Sequence, residues 1–300
     1  MDFHGIHLPD KNEPTVPGRK LSEGTNANVY EWGEDRVIKL FKASYPTDRV
    51  TEEYYNALAV KGLPFKKAEV LELKKTEFGF GIVFKKISGE NMLNYIFRTR
   101  DFKGAAQQLA DLQKSINKCT FDIEKTEALE SAHQQLRRRM LASKKADSDA
   151  TKEMIRFLGT MKEGNSLCHG NLHPDNVLMT DDGPAALSSS GYCIGKPIYD
   201  VARTFFLIAY TQTPEMSNAI SQGDDAASQN DVTVSQGNGV DYKDKVEKPK
   251  SKDSQACTCP NCRGITNMEE RKEFGRYYLD AMGKSATEIG GYLSMIIAGM

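Results

Sequence analysis

The residues best suited to chemistry lie close together, from His169 to Asn176. This stretch reads His-Gly-Asn-Leu-His-Pro-Asp-Asn, so it holds two imidazoles, two carboxamides and one carboxylate. An imidazole or a carboxylate can accept a proton near neutral pH, whereas the carboxamide of Asn171 has no basic oxygen for that task. The chemistry of the stretch therefore depends on what position 171 is required to do.

The spacing of these residues matches H-x-D-x-x-x-x-N, the pattern of a catalytic loop for phosphoryl transfer, with Asn171 in place of the aspartate. In that pattern the aspartate accepts the proton of the substrate hydroxyl as the phosphoryl group arrives. Because asparagine cannot accept it, the sequence predicts a loop of catalytic type without its general base.

Composition limits the classes of protein to which this chain can belong. The 300 residues are 39% hydrophobic and 27% charged, which predicts a globular protein with two lobes. The formal net charge of -1 argues against a nucleic-acid partner and against an anionic membrane surface. Without an apolar leader, a bilayer-length apolar stretch or a disulfide-like cysteine pattern, we expect a cytoplasmic protein without a membrane partner.

The first part of the chain has the pattern of a small sheet. Residues 20–41 alternate between apolar and polar around two turns, which predicts three strands. A helix capped by Thr47 or Asp48 follows, with an apolar stripe at Val50, Tyr54 and Leu58, and it ends at Gly62. Apolar runs at 70–73 and 80–84 flank a polar turn and add a second hairpin. The prediction is a five-stranded antiparallel sheet with one helix.

After residue 88 the apolar spacing becomes helical, so the larger C-terminal part is predicted to be mainly α. The helical segments are 92–96, 106–116, 129–141, 154–161, 201–210, 268–282 and 289–297. Two short strands, Val177–Met179 and Ala185–Leu187, form a hairpin directly after the loop at 169–176. The hairpin therefore holds the end of that loop.

Residues 213–266 are rich in small polar and charged side chains, which predicts a disordered insertion. Near its end, Cys257, Cys259 and Cys262 offer three thiolates, but a closed zinc site needs a fourth ligand. We predict incidental thiols rather than a zinc site. The alternative is a metal whose shell is completed by a distant residue or by a second chain.

Together with Ile194-Gly195-Lys196-Pro197-Ile198-Tyr199-Asp200-Val201-Ala202-Arg203, the loop resembles the aminoglycoside phosphotransferase and choline kinase group of the protein-kinase-like superfamily. The resemblance covers Arg19 to Tyr210 and resumes after the insertion. It implies an α+β, bilobal protein-kinase-like fold. The predicted divisions are an N-terminal extension at 1–18, a nucleotide-side lobe at 19–88 and a helical lobe at 89–300.

The same resemblance implies a nucleotide site in the smaller lobe, with ATP as the cofactor. Gly24 lies in the segment 22–29, where the family has its phosphate-covering loop, although the outer glycines are replaced. Lys39 matches the strand lysine that contacts the α- and β-phosphates. Its helix partner is Glu53, with Glu52 as second choice.

In the larger lobe the resemblance implies that His169 and Asp200 brace the catalytic loop and that Asn176 is a metal ligand. Ser188 stands where the family has its metal-binding aspartate, so with Asn171 both carboxylates of the reaction are replaced. Magnesium favours anionic oxygen ligands. Magnesium binding is therefore predicted to be weak or absent.

These observations favour a pseudokinase that has lost most or all phosphoryl transfer, binds a nucleotide weakly or not at all, and acts through a protein partner bound by the insertion. The alternative is an active ATP-dependent small-molecule kinase that phosphorylates a hydroxyl and uses a rearranged metal site. A third reading, a decayed copy without a role, also fits the replaced carboxylates.

Overall fold

The computed structural model describes residues 14–122, 129–210 and 268–300. A five-stranded antiparallel sheet is formed by β1 (Lys20–Glu23), β2 (Ala27–Glu31), β3 (Arg36–Phe41), β4 (Val70–Thr76) and β5 (Gly79–Lys85). The strand order is β1-β2-β3-β5-β4, and helix α1 (Thr47–Ala59) connects β3 to β4. The predicted sheet and its helix are confirmed.

The sheet separates two apolar clusters because side chains alternate along β3. Ile38 and Leu40 pack with Trp32 and Val83 on one face. The other face packs against α1 through a second cluster, which consists of Ala27, Phe41, Val50, Ala57, Val70, Ile82 and Phe84. Lys39 lies between Ile38 and Leu40 in sequence, so its side chain emerges on the face that carries α1.

Two details of α1 differ from the prediction. Pro46 occupies the N-cap position and no side chain caps the helix, so neither Thr47 nor Asp48 has the predicted role. The buried face contains Val50, Glu53, Asn56 and Ala57, whereas Leu58 is exposed. Of the apolar stripe predicted at Val50, Tyr54 and Leu58, Val50 is buried and Tyr54 is partly buried against the same cluster, so the prediction is wrong only for Leu58.

The C-terminal part is mainly helical, as predicted. Its helices are α2 (Met92–Thr99), α3 (Phe102–Asn117), α4 (Ala132–Ala142), α5 (Asp149–Thr160), α6 (Pro197–Ala209), α7 (Met268–Met282) and α8 (Ala286–Ala298). They pack around a single large apolar cluster to which α2 to α8 all contribute. Within the described ranges, no helix is long and apolar enough to cross a membrane.

Two small sheets hold the loop at 169–176. Strand β7 (Ser166–Cys168) precedes the loop and pairs with β10 (Cys193–Gly195). Strand β8 (Val177–Thr180) follows it and pairs with β6 (Glu90–Asn91) and with β9 (Gly183–Ala186). The predicted hairpin is present, and both ends of the loop are fixed by strand pairing.

The predicted insertion at 213–266, with Cys257, Cys259 and Cys262, lies outside the described residues. Its disorder, its zinc-binding capacity and its role in partner binding stay predictions.

Candidate phosphotransfer site

Asp200 anchors the start of the loop. It lies in the first turn of α6 with 0% of its surface exposed. Its carboxylate accepts hydrogen bonds from the backbone N–H groups of His169 (3.0 Å) and Gly170 (2.8 Å), and from Nδ2 of Asn117 (2.9 Å). Burial raises the pKa of Asp200, and these hydrogen bonds oppose the rise. Asp200 therefore holds the loop from inside the protein and does not face a ligand.

The loop crosses the following segment at very close range. Gly170 has a φ of 66°, and a Cβ atom built there would lie 2.3 Å from the carbonyl oxygen of Gly191. A Cβ atom on Gly191 would in turn lie 2.7 Å from the carbonyl oxygen of His169. Glycine is required at both positions, because any side chain would push the two segments apart.

Two histidines of the loop are neutral. Burial lowers the pKa of His169 to about 3, and its Nδ1 accepts a hydrogen bond from the backbone N–H of Asn171 (3.3 Å). Burial also lowers the pKa of His173 to about 4. The neutral ring of His173 can accept at Nε2 from Nδ2 of Asn176, which lies 2.9 Å away. Both rings act as hydrogen-bond acceptors within the loop.

Asn176 closes the loop on itself. Its Nδ2 donates to the backbone oxygen of Asn171 (2.9 Å) as well as to His173. Its backbone oxygen accepts from the N–H of Leu187 (3.0 Å). Leu187 directly precedes Ser188, so this hydrogen bond holds the two segments side by side. Among the described residues its side-chain oxygen has no hydrogen-bond partner, so that atom can bind a ligand.

The two replaced positions are joined by neutral side chains. Nδ2 of Asn171 donates to the hydroxyl of Ser190 (3.4 Å), and the hydroxyls of Ser190 and Ser188 lie 3.0 Å apart. We call these three residues the neutral chain. It occupies the positions where the resemblance implies two carboxylates, and none of its members carries a charge or a strong base.

Lys39 and Glu53 form the predicted ion pair. Nζ of Lys39 lies 2.6 Å from Oε1 of Glu53, whose side chain is only 2% exposed. Glu52, the second choice, lies instead with Arg49 (2.6 Å) and Arg138 (3.4 Å). The structure therefore selects Glu53 as the partner of Lys39.

The ion pair is tied to the neutral chain through Ser189. Its hydroxyl donates to the backbone oxygen of Glu53 (3.1 Å), and its own backbone oxygen accepts from Nδ2 of Asn56 (3.3 Å). Helix α1, Lys39 and the segment 188–190 therefore form one unit. The sequence analysis did not identify Asn56, Ser189 or Asn117, whose partners are far away along the chain. It also gave no role to Ser190, which bonds to Asn171 and to Ser188.

Gly24 lies apart from this unit, in the turn between β1 and β2. Its N–H donates to the backbone oxygen of Ala27 (3.0 Å), and an added Cβ atom would lie 2.9 Å from that oxygen. Strand β2 pairs with β3 so that Val29 is opposite Lys39. The tight turn at Gly24 thus leads into β2, the strand that pairs with the strand of Lys39. A phosphate-covering hairpin requires this position.

The nearby carboxylates do not replace the missing ones. Asp175 is exposed and accepts from the side chain of Asn91 (3.2 Å). Asp181 and Asp182 are exposed at the tip of the β8–β9 hairpin, and Asp182 lies 3.2 Å from Lys66. Across the described parts of the chain, no group of three or more His, Cys, Asp or Glu side chains is placed to hold a metal ion.

A magnesium ion of the type that the family implies does not fit these residues. The amide oxygen of Asn176 and the hydroxyl of Ser188 are both neutral, whereas Mg²⁺ is usually bound in proteins through one or two carboxylates together with phosphate oxygens. A nucleotide fits better, because the lysine ion pair and the glycine turn are both formed.

Comparisons with known proteins identify the family and the fold of this chain. A phosphotransferase enzyme family model matches residues 18–230. The crystal structure of an aminoglycoside-3'-phosphotransferase of type VIII is 14% identical, with a TM-score of 0.52 over 97% of this chain and 95% of that one. The GDP and kanamycin complex of APH(2")-IIia is 13% identical, with a TM-score of 0.50 over 93% of this chain and 82% of that one. No curated protein sequence matches this chain. The chain belongs to the phosphotransferase enzyme family and has the bilobal, kinase-like fold of the aminoglycoside phosphotransferases.

Proposed function

We propose that this protein is a pseudokinase: it uses the phosphotransferase fold to bind a nucleotide but has lost most or all phosphoryl transfer. The neutral chain of Asn171, Ser190 and Ser188 carries this proposal. Within the part of the site that the structure describes, it leaves no base for the acceptor hydroxyl and no carboxylate for the metal.

The two losses act on different parts of the reaction. A general base contributes roughly a hundred- to ten-thousand-fold to the rate. Phosphoryl transfer depends still more on neutralising the charge of the phosphates, which is the role of the metal and its ligands. Loss of both the base and the metal ligand lowers the rate more than loss of either one. We therefore expect a rate of phosphoryl transfer close to the uncatalysed rate in solution.

Nucleotide binding is supported by the parts that are intact. The ion pair of Lys39 and Glu53 is formed at 2.6 Å, and the turn at Gly24 leads into the strand that pairs with the strand of Lys39. A structure of the same fold was solved with GDP. We propose ATP as the ligand of this chain and a protein partner as the recipient of its effect, since a protein that binds without turnover acts through its surface.

An active small-molecule kinase is the second candidate. The side-chain oxygen of Asn176, which has no partner among the residues that the structure describes, and the intact lysine ion pair favour it, because both would be used in a rearranged metal site. Such an enzyme would transfer the terminal phosphoryl group of ATP to a hydroxyl.

Restoring the carboxylates tests the proposal. ADP formation from ATP and Mg²⁺ is measured for the unmodified chain and for the double variant Asn171→Asp/Ser188→Asp. We expect no turnover above the blank for the unmodified chain and measurable turnover for the variant. The variant Ser294→Asp, on the exposed face of α8, controls for the added charge. Equal turnover by the unmodified chain and the double variant, both above the blank, would establish the active kinase instead.

A further inference from the structure

We infer that the site formed by the Lys39–Glu53 ion pair and the neutral chain, which we call the cleft, binds a nucleoside triphosphate without a divalent cation. This inference rests on the proposed function and specifies its ligand. It starts from the disagreement between the family's metal site and the residues that stand here.

Charge is the first step of the argument. A triphosphate carries several negative charges, and carboxylates beside it repel it unless a cation lies between them. Exchanging two aspartates for Asn171 and Ser188 removes two negative charges, which equals the charge that one divalent cation would bring. The groups around a metal-free triphosphate in this cleft therefore have the same net charge as two aspartates together with one divalent cation.

The hydrogen-bonding capacity of the neutral chain is the second step. A carboxylate can only accept hydrogen bonds, whereas serine hydroxyls and the amide of asparagine can also donate. Ser188 and Ser190 share one hydrogen bond at 3.0 Å, so only one of the two protons is used between them. The other hydroxyl can donate its proton in a hydrogen bond to a phosphate oxygen. It would then replace part of the contact that a metal ion makes with that oxygen.

The third step is that the surrounding acids cannot restore the repulsion. Glu53 is buried and paired with Lys39, so the two charges cancel locally. Asp200 points into the protein, toward the backbone N–H groups of the loop. Asp182 has 89% of its side chain exposed and lies beside Lys66. The segment 188–190 is also fixed to α1 through Ser189, which holds the neutral chain in place.

The experiment compares ATP binding to the full chain in EDTA and in Mg²⁺ by isothermal titration, with thermal shift as a second readout. We expect the dissociation constant in EDTA to be equal to or lower than that in Mg²⁺. Ser188→Asp is expected to weaken binding in EDTA by about tenfold or more and to regain it with Mg²⁺, because the repulsion returns and the cation relieves it.

Two variants separate charge from other effects. Ser188→Asn adds similar bulk without charge, and its loss of affinity in EDTA is expected to be clearly smaller than that of Ser188→Asp. Ser294→Asp adds the same charge on α8, away from the cleft, and controls for the net charge of the protein.

The outcomes distinguish this inference from the proposed function. A tenfold or larger gain in affinity with Mg²⁺ for the unmodified chain overturns metal-free binding while the proposed function stands. No ATP binding in either buffer overturns both metal-free binding and the nucleotide binding of the proposed function, and leaves only the loss of turnover. Turnover of ATP by the unmodified chain overturns the proposed function itself. Equal effects of Ser188→Asp and Ser188→Asn would also overturn the charge argument.

Discussion

The pair of neighbouring glutamates on α1 gives the sharpest test of the site. Glu53→Gln removes one partner of an ion pair whose acid is 2% exposed. Removing one partner of a buried pair costs about 3–5 kcal/mol, because the remaining charge loses its compensation. The side chain of Lys39 is 23% exposed, so water solvates its charge in part and the cost is smaller. We expect a loss of about 2–3 kcal/mol in the free energy of unfolding.

Glu52→Gln is the matched control, since it makes the same chemical change one residue away. The side chain of Glu52 is 32% exposed, and its arginine partners are also partly in water. Pairs of this kind contribute about 0.2–1 kcal/mol. Urea denaturation of both variants at pH 7 and low salt therefore gives a clear difference.

A double-mutant cycle with Lys39→Met isolates the interaction itself. Contacting charges of this kind show coupling energies of about 0.5–3 kcal/mol. The reasoning is refuted if Glu53→Gln costs no more than Glu52→Gln, or if the coupling of Lys39 with Glu53 is zero within error. Either result would mean that the pair does not organise the cleft.

Three further predictions concern the loop. Gly170→Ala is expected to lower the free energy of unfolding by more than about 1 kcal/mol, since the left-handed φ and the 2.3 Å approach both oppose a side chain; denaturant unfolding checks this. Asn176→Ala is expected to cost about 1–2 kcal/mol by the same measurement, because it removes two hydrogen bonds inside the loop. Stability is expected to fall as the pH drops from about 6.5 toward 4, because the unfolded state protonates His169 and His173 while the folded state, with pKa values of about 3 and about 4, does not. His169→Gln should flatten that slope in urea titrations between pH 7 and pH 5, and an unchanged slope would contradict the burial argument.

The sheet and the loop could be predicted from the sequence because their signals are local. Alternation along 20–41 and the spacing from His169 to Asn176 each fit within a short window. The choice between Glu52 and Glu53 was also within reach, since Val50 and Ala57 lie three residues before and four after Glu53 on one helical face. Assigning Leu58 to that face hid the signal.

The hydrogen bonds that connect the site could not be predicted in the same way. Asn117 reaches Asp200 across 83 positions of the chain, and Ser189 reaches Glu53 across 136. Such contacts depend on how α3, α6 and α1 pack, and no local pattern encodes that packing. An isolated serine or asparagine in a sequence has many other uses.

The residues retained from the family pattern share a property that bears on the choice between the two functions. The side chains of Asp200, His169 and Asn176 each hold the loop through hydrogen bonds, and Glu53 holds Lys39. Their presence is therefore explained by the fold alone and does not require that the protein transfer phosphate. The argument for an active kinase rests on these same residues, so it loses much of its weight.

The replaced positions show the opposite property. Through their side chains, Asn171 and Ser188 are hydrogen-bonded within the described structure only to Ser190, and neither one holds the loop to the rest of the protein. An aspartate at either position would thus not be needed for the loop to adopt its shape; it would matter only for chemistry or for a cation. The structure keeps what builds the cleft and is neutral where the reaction needs charge, which is the pattern expected of a protein that binds a nucleotide without consuming it.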